Sequence, residues 1–247
     1  MRLFGAILFQ LILTAVYAQP EIFQYEKIVG IANKENLASQ LYNKLDSFKH
    51  TRQPHNSNIE IYFNRDIDFG YKHQRINLQL NDWHYQVNLL VKNDTIYLSS
   101  VKFDDMFDRG YSKLNNLQID TVNSSIYLTL RNNFYGSHKS VDELIKDLNL
   151  TEQFASNCGD GSPKTRRWTK LERQAKNNEQ SSFLHLLQSI SCEEQEYGVA
   201  GFKMIEKQGK ILPTRVTKLL RYLKGRKSDL VVCSGCFTLV QHSGNVE

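Results

Sequence analysis

The chain changes from a helical to a strand-like pattern of apolar residues near position 59. Over residues 22–49 the apolar positions recur at steps of three and four, which predicts one N-terminal helix. Over residues 59–131 apolar and polar residues alternate, which predicts strands with one face buried and one face solvated. We expect an antiparallel sheet of about five to six strands, the last of them over residues 126–131.

The helical spacing returns near residue 140 and dominates the C-terminal part. Four helical segments are predicted there, at 164–176, 180–190, 193–207 and 213–224. Glycine, proline and small polar residues cluster over 157–163 and predict a boundary between two domains, 19–156 and 164–240. A short apolar segment over 229–240 ends the second domain. The predicted fold class is therefore α+β.

Residues 1–18 have the three parts of a secretory signal peptide. Arg2 supplies a positive charge, Leu3–Val16 is almost entirely apolar, and Ala18 provides a small residue before a cleavage site. The apolar run is shorter than the roughly 20 residues that a membrane-spanning helix needs. We therefore expect cleavage after Ala18, no transmembrane segment in the mature chain, and a secreted or periplasmic protein.

The composition is that of a folded protein with an uneven surface charge. The chain is 40% hydrophobic and 11% aromatic, which argues against intrinsic disorder. Its formal net charge is +5. Residues 164–227 hold 15 Lys and Arg against 6 Asp and Glu, a net charge of +9, so the remainder of the chain is acidic. This asymmetry predicts two regions with different surfaces.

Basic helical residues give the strongest surface signal in the sequence. Those of the segment 213–224 recur at every third position opposite an apolar face, and another pair lies near the start of 164–176. The candidate binding residues are Arg215, Lys218, Arg221, Lys224, Arg166 and Arg167. Such residues suit an anionic polymer or a lipid phosphate, and an ordinary solvated helix face is the alternative.

The four cysteines are expected to form structural disulfides in an exported chain. The simplest pairing joins Cys233 to Cys236, because Gly235 gives the backbone the freedom that a tight loop needs. Cys158 and Cys192 then form a second bridge. Two alternatives stay open, since the Cys-x-x-Cys spacing also occurs in thiol–disulfide enzymes and four sulfurs can bind zinc. We expect no metal and no cofactor.

Residues 64–70 contain the acidic spacing that begins a calcium-binding loop. An EF-hand requires Gly at its sixth position and Glu at its twelfth. Phe69 and Arg75 occupy those positions in this chain. The sequence therefore predicts an ordinary turn whose acidic side chains, Asp66 and Asp68, are exposed.

The C-terminal part resembles a family of exported bacterial proteins of unknown function. The resemblance is in Phe183–Leu187, Tyr197–Phe202, Gly209–Leu212 and Val232–Cys236. It covers residues 180–236, and its distinctive feature is the terminal Cys-x-Gly-Cys motif within a helical frame. The family has a helical, HEAT-like region that ends in this motif, so the resemblance implies a helical array and no particular reaction.

The expected function is that of an exported, non-enzymatic binding or scaffold protein. Its partner is expected to be an anionic envelope polymer or another protein, and not a nucleic acid. The alternative is an exported enzyme with a site on the sheet face near Asp104, Asp105, Trp83 and His84. A pocket in which these four side chains converge favours the enzyme, whereas a continuous basic helical face favours binding.

Overall fold

A computed structural model gives the architecture of the chain. It describes residues 20–50, 57–80, 83–105, 112–119, 121–159, 161–226, 228–234 and 237–242. The predicted signal peptide at residues 1–18 and Cys236 lie outside the described residues. Within these ranges the fold is mixed α+β, as predicted. Along the chain, helices precede and follow the strands of an antiparallel sheet.

The N-terminal helix predicted over residues 22–49 is interrupted near its middle. The two helices are α1 (Pro20–Ala32) and α2 (Ala38–His50). The segment between them pairs with a hairpin of the sheet: the Asn36 carbonyl accepts the N–H of Ile96 at 2.8 Å. The N–H of Ala38 in turn donates to the Asp94 carbonyl at 2.8 Å. A tertiary contact thus breaks a helix that local periodicity predicted as continuous.

The strands of the described residues form one antiparallel sheet in sequential order and one separate hairpin. The sheet strands are β1 (Ser57–Asp66), β2 (Lys72–Leu80), β3 (Trp83–Lys92), β4 (Thr95–Asp105) and β5 (Ser112–Ile119). Asn93 and Asp94 join β3 to β4 with φ angles of 51° and 65°. These left-handed values are those of a tight hairpin turn.

One face of the sheet is apolar and is covered by α1 and α2. Ile76, Val87 and Val101 lie side by side across β2, β3 and β4 and are fully buried. Ile28 of α1 and Leu41 of α2 belong to the same core cluster. This face follows the prediction that alternation buries one side of the strands.

The opposite face is predicted to be solvated, and the structure buries part of it instead. Arg75, Asn88 and Ser100 are aligned across β2, β3 and β4, and all three are buried. The C-terminal half of the chain covers them. Alternation in a sequence identifies the polar positions of a strand but does not tell whether water or protein lies over them, which is why this prediction is wrong here.

Residues 126–131, predicted as a strand, lie in the helix α3 (Thr121–Tyr135). Two periods coincide in this segment, because apolar residues alternate while Tyr127, Arg131 and Tyr135 recur at every fourth position. The structure buries these three side chains completely. The helical period therefore decides the local structure, and the last of the predicted sheet strands is a helix instead.

A short helix begins where the helical spacing returns near residue 140, and the four predicted helices follow it close to their predicted positions. They are α4 (Val141–Leu148), α5 (Arg166–Lys176), α6 (Gln180–Leu187), α7 (Cys192–Lys207) and α8 (Thr214–Arg226). The apolar segment predicted over 229–240 is a hairpin of β6 (Asp229–Ser234) and β7 (Phe237–His242). Gly201 lets α7 approach α6 closely, since a Cβ at this position would lie 2.5 Å from Phe183 Cδ1.

A shared core joins the two sides of the boundary predicted at 157–163. Leu90 and Leu98 of the sheet belong to the same buried cluster as Phe183 and Phe202 of the C-terminal helices. The boundary itself stays a prediction. Among the helices of the described residues, none combines the length and the apolar character that crossing a bilayer requires.

Candidate functional site

A buried ionic cluster surrounds Asp68, in the turn that joins β1 to β2. Its Oδ1 atom accepts hydrogen bonds from the Tyr135 hydroxyl at 2.8 Å and from Arg226 Nη1 at 3.0 Å. The Tyr222 hydroxyl donates to the same oxygen at 3.2 Å, and Arg131 Nε donates to Oδ2 at 3.0 Å. Asp68 is 1% exposed, so the prediction of an exposed acid at this position is wrong.

The backbone of the turn holds Asp68 in place. Phe69 and Gly70 adopt positive φ angles of 59° and 77°, and the N–H of Tyr71 donates to the Asp68 carbonyl at 3.0 Å. Glycine adopts this conformation readily, whereas an aromatic residue does so only when its surroundings compensate. The Phe69 ring packs edge-on against that of Phe134, with 5.7 Å between centroids, and so ties the turn to α3.

The two tyrosine hydroxyls of the Asp68 cluster keep their protons. Burial, and then the charge of Asp68, raises the pKa of Tyr222 to about 12 and also raises the pKa of Tyr135. Both hydroxyls therefore stay protonated as donors. Arg131 Nη1 donates to the Gln188 carbonyl at 2.7 Å, just after α6, where the helix dipole favours a cation. The cluster joins the sheet to three helices and is structural.

A second buried ion pair joins the sheet to α7. Arg65 Nη1 lies 2.5 Å from Glu193 Oε1, and both side chains are buried. The same oxygen accepts the backbone N–H of Val231 at 2.9 Å, and Oε2 accepts the Ser191 hydroxyl at 2.8 Å. Burial raises the pKa of Glu193, but the charge of Arg65 outweighs it and holds the pKa below its ordinary value. Glu193 is therefore ionised and connects β1, α7 and β6.

His73 lies between the arginines of the polar sheet face. Its Nδ1 is 3.4 Å from Arg65 Nη2, and its Nε2 is 3.2 Å from Asn88 Oδ1. Arg75 Nε donates to the same amide oxygen at 2.6 Å. Burial, and then the charges of Arg65 and Arg75, holds the pKa of His73 well below its ordinary value. The imidazole is neutral at physiological pH and, being fully buried, cannot reach a substrate.

The disulfide of the described residues joins Cys158 to Cys233, with 5.4 Å between their Cα atoms and a sequence separation of 75. The predicted bridge from Cys233 to Cys236 is wrong because Cys233 is already bonded. The N–H of Phe154 donates to the Val231 carbonyl at 2.8 Å, so β6 runs beside the chain that leads to Cys158. The fold thus supplies a distant partner where sequence spacing favoured a local one.

Cys192 begins α7 as a buried free thiol. The predicted second bridge from Cys158 to Cys192 is therefore wrong as well. Arg226 Nη2 lies 3.5 Å from its Sγ atom, within hydrogen-bond distance for sulfur. In the part of the chain that the structure describes, no group of three or more His, Cys, Asp or Glu side chains could hold a metal ion.

Five of the six basic residues predicted for binding are exposed, and one is half-buried. The exposed ones are Arg166 on α5 and Arg215, Lys218, Arg221 and Lys224 on α8. Arg167 is half-buried: its guanidinium bonds Glu152 at 2.9 Å, also bonds Glu194, and lies 4.4 Å from the ring centroid of Tyr197. Burial lowers the pKa of Arg167, but the bond to Glu194 outweighs it and raises the pKa. Arg167 already has protein partners.

A groove of about 760 Å³ lies between α5 and α6. The ion-paired residues Glu152 and Arg167 line it, and its other charged and polar residues are Arg166, Lys170 and Gln174 of α5 and Ser181, Ser182 and His185 of α6. The three α5 residues share one helix face because they follow at steps of four. Leu171 and Leu186 add apolar surface. This volume is in the range of small-ligand sites, which combine apolar walls with a few polar groups.

The α5–α6 groove is electropositive. Within the described residues, Arg166 and Lys170 form no ion pair, and the acidic lining residue Glu152 is paired with Arg167. The first turn of α6 faces the groove through Ser181. The groove therefore suits an anion.

Two residues of the alternative enzyme site, Trp83 and His84, lie on different faces of the sheet. Trp83 and His84 are consecutive in β3, so their side chains lie on opposite faces of the sheet. Trp83 packs against Phe103, with 5.1 Å between ring centroids, on the face that α1 and α2 cover. In the backbone register, Asp105 lies opposite Trp83 and Asp104 opposite His84. One pocket on a single sheet face therefore does not hold both Trp83 and His84.

Sequence reasoning missed the residues that organise the interior. Asp68 lies 63 positions from Arg131 and 158 from Arg226, and no local pattern links such distant partners. The groove had a clearer signal, because Lys170 repeats the charge of Arg166 after one helical turn. His185 faces Arg166 and Lys170 from α6. The sequence predicted both helices but not that they lie side by side.

Comparison with known proteins provides no relative from which a function could be transferred. No protein-family model matches this chain, and neither a curated protein nor a solved structure does. The groove and the exposed basic residues are the features of the chain that bear on its function.

Proposed function

We propose that this chain is a non-enzymatic binding protein whose α5–α6 groove takes an anionic ligand. The supporting observation is the pair Arg166 and Lys170, which line the groove and form no ion pair within the described residues. The two side chains are one helical turn apart, roughly 5–6 Å between their Cβ atoms. Successive anionic groups of a polymer can bind both cations at once.

The lining favours an anionic polymer that also carries hydroxyl groups. Arg166 offers a planar guanidinium for two-point contact with a carboxylate or phosphate, whereas Lys170 acts as a point charge. Ser181, Ser182 and Gln174 can donate to and accept from neutral hydroxyls. An acidic polysaccharide and a phosphate-bearing polymer share this chemistry, so the experiment below includes both.

Export outside the cytoplasm belongs to the same proposal. Two observations support it: the signal-peptide pattern of residues 1–18 and the bond between Cys158 and Cys233. Disulfides persist mainly in oxidising compartments. We expect N-terminal sequencing of the extracellular or periplasmic protein to begin at Gln19. Material that retains Met1 contradicts export by cleavage.

Calorimetric titration with two probes, an oligogalacturonate and a linear polyphosphate, tests the groove. In the variant Arg166→Ser/Lys170→Ser we expect binding to weaken about tenfold to a hundredfold, because two charge-assisted contacts are lost. The matched control Lys176→Ser/Lys210→Ser removes the same charge from exposed positions that do not line the groove. It should bind nearly as the wild type.

The outcomes separate a specific groove from general charge attraction. Equal weakening of both double variants contradicts the groove, because bulk positive charge then explains binding. Failure of the wild type to bind either probe rejects the proposal. Preference for one probe identifies a carboxylate or a phosphate ligand, and the slope of log Kd against log salt reports how many charges take part.

A further inference from the structure

Helix α3 carries a row of exposed apolar side chains, Ile126, Leu130 and Phe134, termed here the α3 ridge. Their exposed fractions are 49, 47 and 38%. The residues follow at steps of four, so they lie on one helix face and extend about 12 Å along it. An aligned row of this kind differs from the scattered exposed apolar residues that any protein surface has.

The buried side of α3 fixes the ridge on the surface. Tyr127, Arg131 and Tyr135 are completely buried, and the last two bond the carboxylate of Asp68. Rotating the helix to bury the ridge would break this cluster. Helix α3 also contains neither Asp nor Glu, and Arg131 is buried, so its exposed face is uncharged.

Helix α8 borders the ridge and supplies positive charge. The ring of Tyr222 lies 4.7 Å from that of Phe134 between centroids. The guanidinium of Arg215 occupies the space that a Cβ at Gly136 would need, directly after α3. Lys218 follows Arg215 on the exposed side of α8. An apolar row is thus bordered by cations.

We infer that the α3 ridge and the exposed bases of α8 form a docking surface for an anionic membrane. Amphipathic helices bind membranes in this way: apolar side chains enter the boundary between headgroups and acyl chains, and Lys or Arg residues contact lipid phosphates. A convex apolar row needs no matching pocket in a deformable lipid boundary. The absence of acidic residues from α3 removes repulsion by the headgroups. The α5–α6 groove takes no part in this contact.

Co-sedimentation of the full chain with lipid vesicles tests the inference. The probes are vesicles of phosphatidylglycerol mixed with phosphatidylcholine, and vesicles of phosphatidylcholine alone. We expect binding to the first and little binding to the second. Added salt should weaken the contact, because exposed charges are screened.

Two double variants remove the two components of the surface. Ile126→Ser/Leu130→Ser removes apolar area, and Lys218→Ser/Arg221→Ser removes charge. We expect each to weaken vesicle binding about tenfold or more. All four side chains are exposed, and circular dichroism should show an unchanged melting curve. The matched control Ile211→Ser/Leu239→Ser removes similar apolar area from exposed positions outside the ridge and should bind as the wild type.

The groove variant separates this inference from the proposed function. Arg166→Ser/Lys170→Ser should keep its vesicle binding, whatever it does to the anionic probes. Loss of vesicle binding in that variant, with the ridge variants unaffected, overturns the docking surface. Wild-type protein that does not sediment with the anionic vesicles overturns it too, and leaves the ridge as a contact for a protein partner.

Discussion

The two faces of the central sheet are built from the same strands but are stabilised in opposite ways. On the face covered by α1 and α2, side chains such as Ile76 and Val87 pack through hydrophobic burial, which has no directional requirement. On the opposite face the adjacent residues Arg75 and Asn88 are buried by the C-terminal half. There Arg75 Nη2 donates to the Leu148 carbonyl at 2.9 Å.

The difference shows where the specificity of this fold lies. Apolar faces tolerate volume-conserving exchanges, because any covering of suitable shape removes them from water. A buried cation is more demanding, since an unpaired charge in the interior costs several kcal/mol. The polar face therefore accepts only a covering that places acceptors such as the Leu148 carbonyl and Glu193 at defined points. This requirement fixes the position of the helical half on the sheet.

Removing the charge of Asp68 should be the most damaging single change on the polar side. In Asp68→Asn the cations Arg131 and Arg226 lose their common carboxylate and stay buried. We expect the free energy of unfolding to fall by about 3–5 kcal/mol, measured by urea denaturation. Asp66→Asn, two positions earlier and exposed, is the matched control and should change stability little. Equal effects of the two variants would remove the ionic cluster from the account of the fold.

The disulfide belongs to the half of the chain that covers the polar face, because every cysteine lies at or after Cys158. Replacing Cys158 and Cys233 by Ser should lower the unfolding free energy by about 2–4 kcal/mol, since the bond closes a long loop. The control Cys236→Ser should leave stability unchanged. A large loss in the control, or a Cys233–Cys236 peptide in non-reducing mass spectrometry, would restore the pairing that sequence spacing favoured.

The fold could be predicted from the sequence where one period dominates. The helices of the C-terminal half fit their segments closely because apolar positions and capping residues agree, as at Ser140, whose side chain accepts the N–H of Glu143. Prediction failed where two periods coincide, over 126–131, and where a distant contact interrupts a helix, near Asn36. Local patterns carry no information about such contacts.

The candidate site shows the same difference between local patterns and distant contacts. Arg166 was predicted from its place on a basic helix, and the structure lines a groove with it. Asp68 was misjudged because an acid in a turn is usually solvated, and only the assembled fold brings Arg131 and Arg226 to it. The partner of Cys233 was missed for the same reason. Exposed features follow from local sequence, whereas buried polar partners depend on topology.

The smallest expected effect is a pH dependence of the unfolding free energy. It arises on the polar face of the sheet, where His73 is buried. Burial, Arg65 and Arg75 hold the pKa of His73 well below its ordinary value, whereas the unfolded chain has a histidine pKa of about 6.5. Below that pH the unfolded state binds a proton that the folded state refuses. Stability is therefore fully present above about pH 6.5 and falls as the pH decreases, by at most about 1.4 kcal/mol per pH unit.

The variant His73→Gln should flatten this dependence between about pH 5 and 7, the window in which an ordinary histidine titrates. Ionised Glu193 does not interfere there, because its pKa lies below its ordinary value and its contribution is lost only in stronger acid. The control His185→Gln alters an exposed imidazole and should keep the wild-type slope. Urea denaturation at several pH values measures both. If His73→Gln keeps the wild-type slope, His73 is not held neutral between the arginines. Water then reaches this residue on the polar face of the sheet.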